Sequence, residues 1–186
     1  AAQARGGHSC APTTPAPAGG RTVLSWQHGT TGVAQPCAPS LRPETLTEFA
    51  IPGLSRALER GWLIVAPDYP GQGTAGRYPY LIGEGEGRSS LDAIRAVHHL
   101  KGADASPHTM LWGHSQGGHA TLWAGQLAPS YAPDLDIVNV AALSSATDPL
   151  TLAQGFLGTA SGPVMDVITS YVVVPYADEY PDVTLD

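Results

Sequence analysis

One pentapeptide has the residue types and spacing of a nucleophile: Gly113-His114-Ser115-Gln116-Gly117. It matches G-x-S-x-G and stands where a strand-like apolar run meets a helix-like one. A serine there must occupy a sharp turn in a strained backbone conformation. Gly113 and Gly117 keep that turn free of clashes, and His114 supports the elbow. Gly117, Gly118 and Ala120 let the next helix press against a sheet. The helix N-terminus then aims free amides and a positive dipole end at the reacting centre. A glycine-rich helix start with an incidental serine has the same five letters. The strand before it and the helix after it favour acyl transfer, with Ser115 attacking.

Acyl transfer also needs donors for the developing oxyanion. The first expected donor is the backbone N–H of Gln116, next to the nucleophile. The second is the amide of Thr30 or Thr31, in the loop His28-Gly29-Thr30-Thr31-Gly32. Each such donor lowers the barrier by about 3–4 kcal/mol. An ordinary glycine turn is the plainer explanation of that loop, but it follows an earlier strand in the expected chain order.

Other chemistry-bearing residues read as structural. Asp68, just past a strand end, is expected to fix its turn by bonding local amides. His119 lies on the same helix as Ser115 and reads as structural. His98 and His99 read as packed or solvated. Glu84 and Glu86 sit near a helix start, where carboxylates favour the dipole. No His/Cys/Asp/Glu group has metal-ligand spacing, no phosphate loop occurs, and no cofactor is expected.

A catalytic serine needs a base, and in such folds the order is Ser, then Asp or Glu, then His. His119 is the last histidine of the chain. Asp148 follows a strand end and could be proposed as the acid, but it has no histidine to orient. Asp166, Asp178 and Glu179 have no better claim. Loss of the histidine costs on the order of 10⁶ in rate in a reference serine protease. The expectation is therefore that this is the N-terminal part of a longer enzyme and is nearly inert alone.

The elements that must position Ser115 follow from periodicity. Residues 21–26 read as a strand, 46–60 as a helix starting near Ile51 and stopped by Gly61, and 62–66 as a strand. Continuous apolarity in 62–66 suits a strand covered on both faces. Residues 67–80 form a long loop. Residues 87–101 read as a helix, with Leu91, Ile94, Val97 and Leu100 on one stripe. Residues 109–112 are a strand, 117–127 a helix stopped by Pro129, and 137–143 a strand. Strands alternating with helices predict an α/β fold with a parallel sheet and right-handed crossovers. Residues 1–20 read as a linker-like segment, 21–148 as the core, and 149–186 as the start of a cap of short helices.

Bulk composition narrows the function classes. The 186 residues carry 16 acidic against 9 basic side chains, a net charge of −7, with no basic run, which argues against a nucleic-acid partner. No apolar stretch reaches the roughly 18–20 residues of a membrane span. Residues 1–7 lack the apolar core of a signal peptide, so a processed mature form is expected. Cys10 and Cys37 could pair or stay apart; two cysteines do not fix a compartment.

Several stretches resemble the secretory lipase family typified by fungal lipase A, which has many bacterial members. They are residues 25–32, Cys37-Ala38-Pro39-Ser40, and residues 61–71, 83–100, 113–128 and 130–138. The resemblance covers roughly residues 21–157. It implies an α/β-hydrolase fold: a mostly parallel sheet with helices on both faces, incomplete here, and the start of a helical cap. It also implies secretion, carboxylic ester hydrolysis, an ester or lipid substrate and transient lipid-surface contact. By the same resemblance Ser115 is the nucleophile, and Gln116 and the Thr30/Thr31 loop supply the oxyanion hole. The acid and histidine lie beyond the cap, in a C-terminal part of the same protein, and a cysteine matching Cys37 can pair there. Residues 1–20 depart from the family pattern. Two alternatives stand beside hydrolysis: acyl transfer to an alcohol by the same serine, and a degenerate, non-catalytic binding module.

Overall fold

The structure is a computed structural model and describes residues 6–148, 151, 152, 154, 155 and 162–183. Five strands form one sheet in the order β1-β3-β2-β4-β5. They are β1 (Gly7–Cys10), β2 (Arg21–Gln27), β3 (Leu63–Pro67), β4 (Ala105–His114) and β5 (Asp136–Leu143). β2, β3, β4 and β5 pair in parallel, and β1 runs antiparallel on β3. The helices are α1 (Leu54–Glu59), α2 (Gly83–His98), α3 (Gln116–Tyr131) and α4 (Pro163–Glu179).

Strand alternation divides the core into two layers. Val23, Leu63, Val65 and Leu111 meet Leu91, Ile94 and Val97 of α2 and Ala124 and Ala128 of α3 on one face. Leu24, Trp26, Ile64 and Ala66 meet Ile51 and the α1 residues Leu54 and Ala57 on the other. Each fully buried Leu or Ile contributes about 1.5–3 kcal/mol, so the α2 stripe alone anchors that helix. The α/β class and the parallel sheet with helices on both faces are as expected.

Several boundaries differ from the sequence expectation. Residues 7–10, expected within a linker, form an edge strand because β3 offers them an unpaired side. Residues 46–53 are short turns rather than helix: Gly53 is left-handed, with φ 79°, and α1 begins only after it. α2 starts at Gly83 despite three glycines in its first turns. Tertiary packing on α3 outweighs their poor helix propensity. Pro129 lies inside α3 rather than ending it; near the C-terminus its missing N–H costs a single helical bond. Residues 163–179 are one continuous helix rather than short pieces. Cys10 and Cys37 are both free thiols. Among the described residues no helix is long and apolar enough to cross a membrane.

One surface pair ties α2 to the end of α3. Arg95 Nε donates to Asp134 Oδ2 at 3.0 Å, and an Arg95 terminal nitrogen donates to the Tyr131 carbonyl at 2.9 Å. Hydrogen bonds from this guanidinium hold the Asp134 carboxyl down, to about 2. A carboxyl lowered by folding stabilises above its unfolded value, and that contribution is lost as pH falls through the folded value. The pair faces solvent, so its effect is small and salt-sensitive. Asp134→Asn should therefore melt below wild type at about pH 6 in low salt. The gap should close between about pH 4 and pH 2. A gap that persists at pH 2 would count against this coupling.

Candidate active site

β4 delivers the chain to the elbow and α3 carries it away, so Ser115 is the residue at which direction reverses. Its backbone is at φ 57° and ψ −120°, a left-handed φ that a non-glycine residue rarely holds. Two sets of backbone bonds hold it. The Ser115 N–H donates to the Leu143 carbonyl at the end of β5, at 2.9 Å. The Ser115 carbonyl accepts from the His119 and Ala146 amides at 3.2 and 3.3 Å.

The elbow glycines are required by close approach. A Cβ on Gly117 would collide with the Gln27 carbonyl oxygen and lie 2.7 Å from that of His28. A Cβ on Gly113 would collide with the Gly117 carbonyl. α3 thus sits directly against the end of β2, where the His28–Gly32 loop begins. That loop reaches the serine: a Cβ on Gly29 would stand 3.8 Å from that of Ser115.

The two threonines of this loop have different surroundings. Thr30 Oγ1 is 2.7 Å from the Tyr80 hydroxyl. Thr31 Oγ1 donates to the Cys37 carbonyl at 2.9 Å and accepts from Gln72 Nε2 at 3.1 Å. Gln72 also donates to the Gly32 carbonyl at 2.9 Å. The Tyr69 hydroxyl donates to the His28 carbonyl at 3.0 Å. The loop is therefore braced from the 68–82 segment, and burial pushes the His28 imidazole below its usual range.

Two hollows meet at Thr30 and Ser115. One is a cleft of about 380 Å³ reached by His8, Trp26, Thr45 and His114. The other, about 240 Å³, lies under α4 and is walled by Leu81, Ile168, Val172 and Val173. The structure thus brings Ser115, Gln116, Thr30, Gly113, His114 and Gly117 to one place, with Thr31 adjacent on the same loop.

Beneath the elbow lies a polar network. Glu86 Oε1 accepts from Gln116 Nε2 at 2.6 Å and from the Leu81 N–H at 3.2 Å. Glu86 Oε2 lies 2.8 Å from His119 Nδ1. Gln116 Nε2 also donates to the Tyr78 hydroxyl. Burial, and next the Glu86 charge, hold the Tyr69 and Tyr78 hydroxyls well above the phenol range, so both stay protonated.

Glu86 lies in the first turn of α2, as expected of a carboxylate near a helix start, and is also fully buried and bonded into the elbow. One expectation is corrected here. Asp68 holds a distant amide, not a local one: its Oδ1 accepts from the Ser40 N–H at 3.0 Å. Several of the other residues singled out in the sequence have specific partners. His98 Nε2 donates to the Ser106 carbonyl at 3.0 Å. Glu84 pairs with Arg88 one turn on, and Asp178 with Arg77. Asp148 accepts from the Thr151 amide and hydroxyl, at 2.9 and 2.7 Å, which is a turn cap.

The sequence pattern of the secretory lipase family matches residues 42–184. A protein named "Probable inactive lipase" from Mycobacterium tuberculosis (strain CDC 1551 / Oshkosh) is 37% identical over 125 residues, 62% of this chain and 27% of that protein. Lipase A of Moesziomyces aphidis is 32% identical over 156 residues, 79% of this chain and 32% of that protein. The crystal structure of Candida antarctica lipase A in its closed state superposes with a TM-score of 0.70 at 27% identity, covering 94% of this chain and 40% of that one. The chain spans about a third of the length of the curated relatives it matches. With the family pattern running over more than half of its residues and its sheet superposing on a lipase, the chain belongs to the secretory lipase family and has the α/β-hydrolase fold.

Proposed function

We propose that the protein containing this chain is a secreted, serine-dependent carboxylic ester hydrolase, a lipase or esterase, that works through an acyl-enzyme on Ser115. The observation that carries the proposal is the left-handed Ser115 between β4 and α3. Such strain costs on the order of 1–3 kcal/mol, which a pure binding module has no reason to keep. Membership of a secretory lipase family supports both ester hydrolysis and an extracellular location.

Ser115 Oγ attacks the ester carbonyl carbon while a histidine from a further part of the protein takes its proton. The tetrahedral oxyanion receives hydrogen bonds from the Gln116 amide and from the amide of Thr30 or Thr31. Collapse breaks the bond to the alkoxide, which leaves as the alcohol with the proton from that histidine. Water then attacks the acyl-enzyme and releases the acid. The apolar hollow under α4 suits the acyl chain, and the cleft lined by His8, Thr45 and His114 suits the alcohol side. Val167 and Val174 of α4 and Tyr180 just after it are exposed, which supports transient contact with a lipid surface.

A fluorophosphonate probe applied to the full-length protein should label Ser115 and stop ester hydrolysis in proportion. Activity that survives complete labelling, or labelling elsewhere, would refute the proposal. The bond between Tyr80 and Thr30 gives a finer expectation. Tyr80→Phe keeps the ring and removes the hydroxyl that steadies the loop. It should lower kcat about fivefold, the worth of about 1 kcal/mol, with little change in KM. Steady-state kinetics on a soluble short-chain ester measures both.

A further inference from the structure

Glu86 has no part in the steps above, yet its carboxylate is 0% exposed beneath the elbow. Burying a carboxylate costs several kcal/mol unless donors answer it. Three do: Gln116 Nε2, the Leu81 amide and His119 Nδ1. A carboxylate only accepts, so the His119 nitrogen facing it carries the proton. These donors are not scattered. Gln116 opens α3, His119 follows one turn on, and Leu81 walls the apolar hollow beside Ser115. One buried oxygen pair thus fixes the first turn of α3 and the hollow's wall together.

We propose that Glu86 is a positioning residue: its buried carboxylate locks Gln116 and His119 so that the Gln116 amide already points at the developing oxyanion when substrate arrives. The inference rests on Ser115 as nucleophile and Gln116 as oxyanion donor. Preorganised donors act on the transition state rather than on substrate binding, so the signature is a fall in kcat with KM held. Glu86→Gln keeps the shape but offers a mismatched donor to Gln116 or His119. Gln116→Met keeps the side-chain volume and removes the contact from the other end.

The test is steady-state kinetics on a soluble ester and fluorophosphonate labelling rates, using full-length protein. Wild type, Glu86→Gln, Gln116→Met, their double variant and Ser115→Ala are compared, with circular dichroism confirming the fold. Each single variant should lose about 10- to 100-fold in kcat and in labelling rate, with KM within about twofold. The double variant should fall well short of the product of the two single losses, because both break the shared Glu86–Gln116 bond. Wild-type kcat in folded Glu86→Gln, or a double variant showing the product of the two single losses, would overturn the inference. If Glu86→Gln does not fold, Gln116→Met decides alone: a wild-type kcat overturns it, and a kcat loss at constant KM supports it. An active Ser115→Ala would instead remove the nucleophile reading on which the inference stands.

Discussion

Ser115→Ala should lower kcat for ester hydrolysis by about 10⁵- to 10⁶-fold in the full-length protein, leaving the fold intact. The substitution removes one oxygen and nothing else. Alanine keeps the Cβ, so the left-handed φ of 57° carries the same steric cost in both proteins. The backbone bonds that hold the elbow, to Leu143, His119 and Ala146, involve no side chain. Melting temperature should therefore move little while turnover collapses. Residual activity above the uncatalysed rate should persist, because the proposed oxyanion donors and the hollows remain. A variant with a tenth or more of wild-type kcat would assign the nucleophile to another residue.

Gly117→Ala should remove both stability and activity, by a different route. The new methyl group would collide with the Gln27 carbonyl and press on that of His28. Both are backbone atoms at the end of β2, so no flexible side chain can yield. α3 must move away from the sheet, which separates Ser115 from the loop carrying Thr30. Overpacking of this kind costs about 3 kcal/mol. A displacement near 1 Å between nucleophile and donors costs about 100-fold in rate. Urea unfolding measures the first effect, and kcat in the soluble fraction measures the second. Wild-type values for both would show that the close approach of α3 to β2 is not needed.

The elbow was legible in the sequence because its demands are local: a strand, small residues about a serine, then a helix. The parallel sheet was legible for a related reason, since strands such as Leu63–Pro67 are apolar on both faces and alternate with helical runs. Features made by tertiary contact were not. Gly7-His8-Ser9-Cys10 has no apolar alternation and is a strand only because β3 offers it an edge. The Gly83-Glu84-Gly85-Glu86 stretch has poor helix propensity and is helical through its packing on α3.

Glu86 shows the same limit within the site. Its position near a helix start pointed only to the helix dipole, and its bonds to Gln116 and His119 beneath the elbow come from the folded chain. A signal was present. Glu86 lies about three turns before Val97, so extending the buried stripe upstream points to it. Thr30 and Thr31 could not be separated by sequence, since only the folded 68–82 segment gives them Tyr80 and Gln72 as different partners.

The central claim is an acyl-enzyme on Ser115, and rapid-quench mass spectrometry tests it most directly. Full-length protein is mixed with a slowly deacylating ester, acid-quenched within one turnover and digested. The peptide containing Ser115 should gain the mass of the acyl group, and fragmentation should place that mass on Ser115 itself. An acyl group on another residue, or burst-phase product release with no acylated peptide, would contradict the claim.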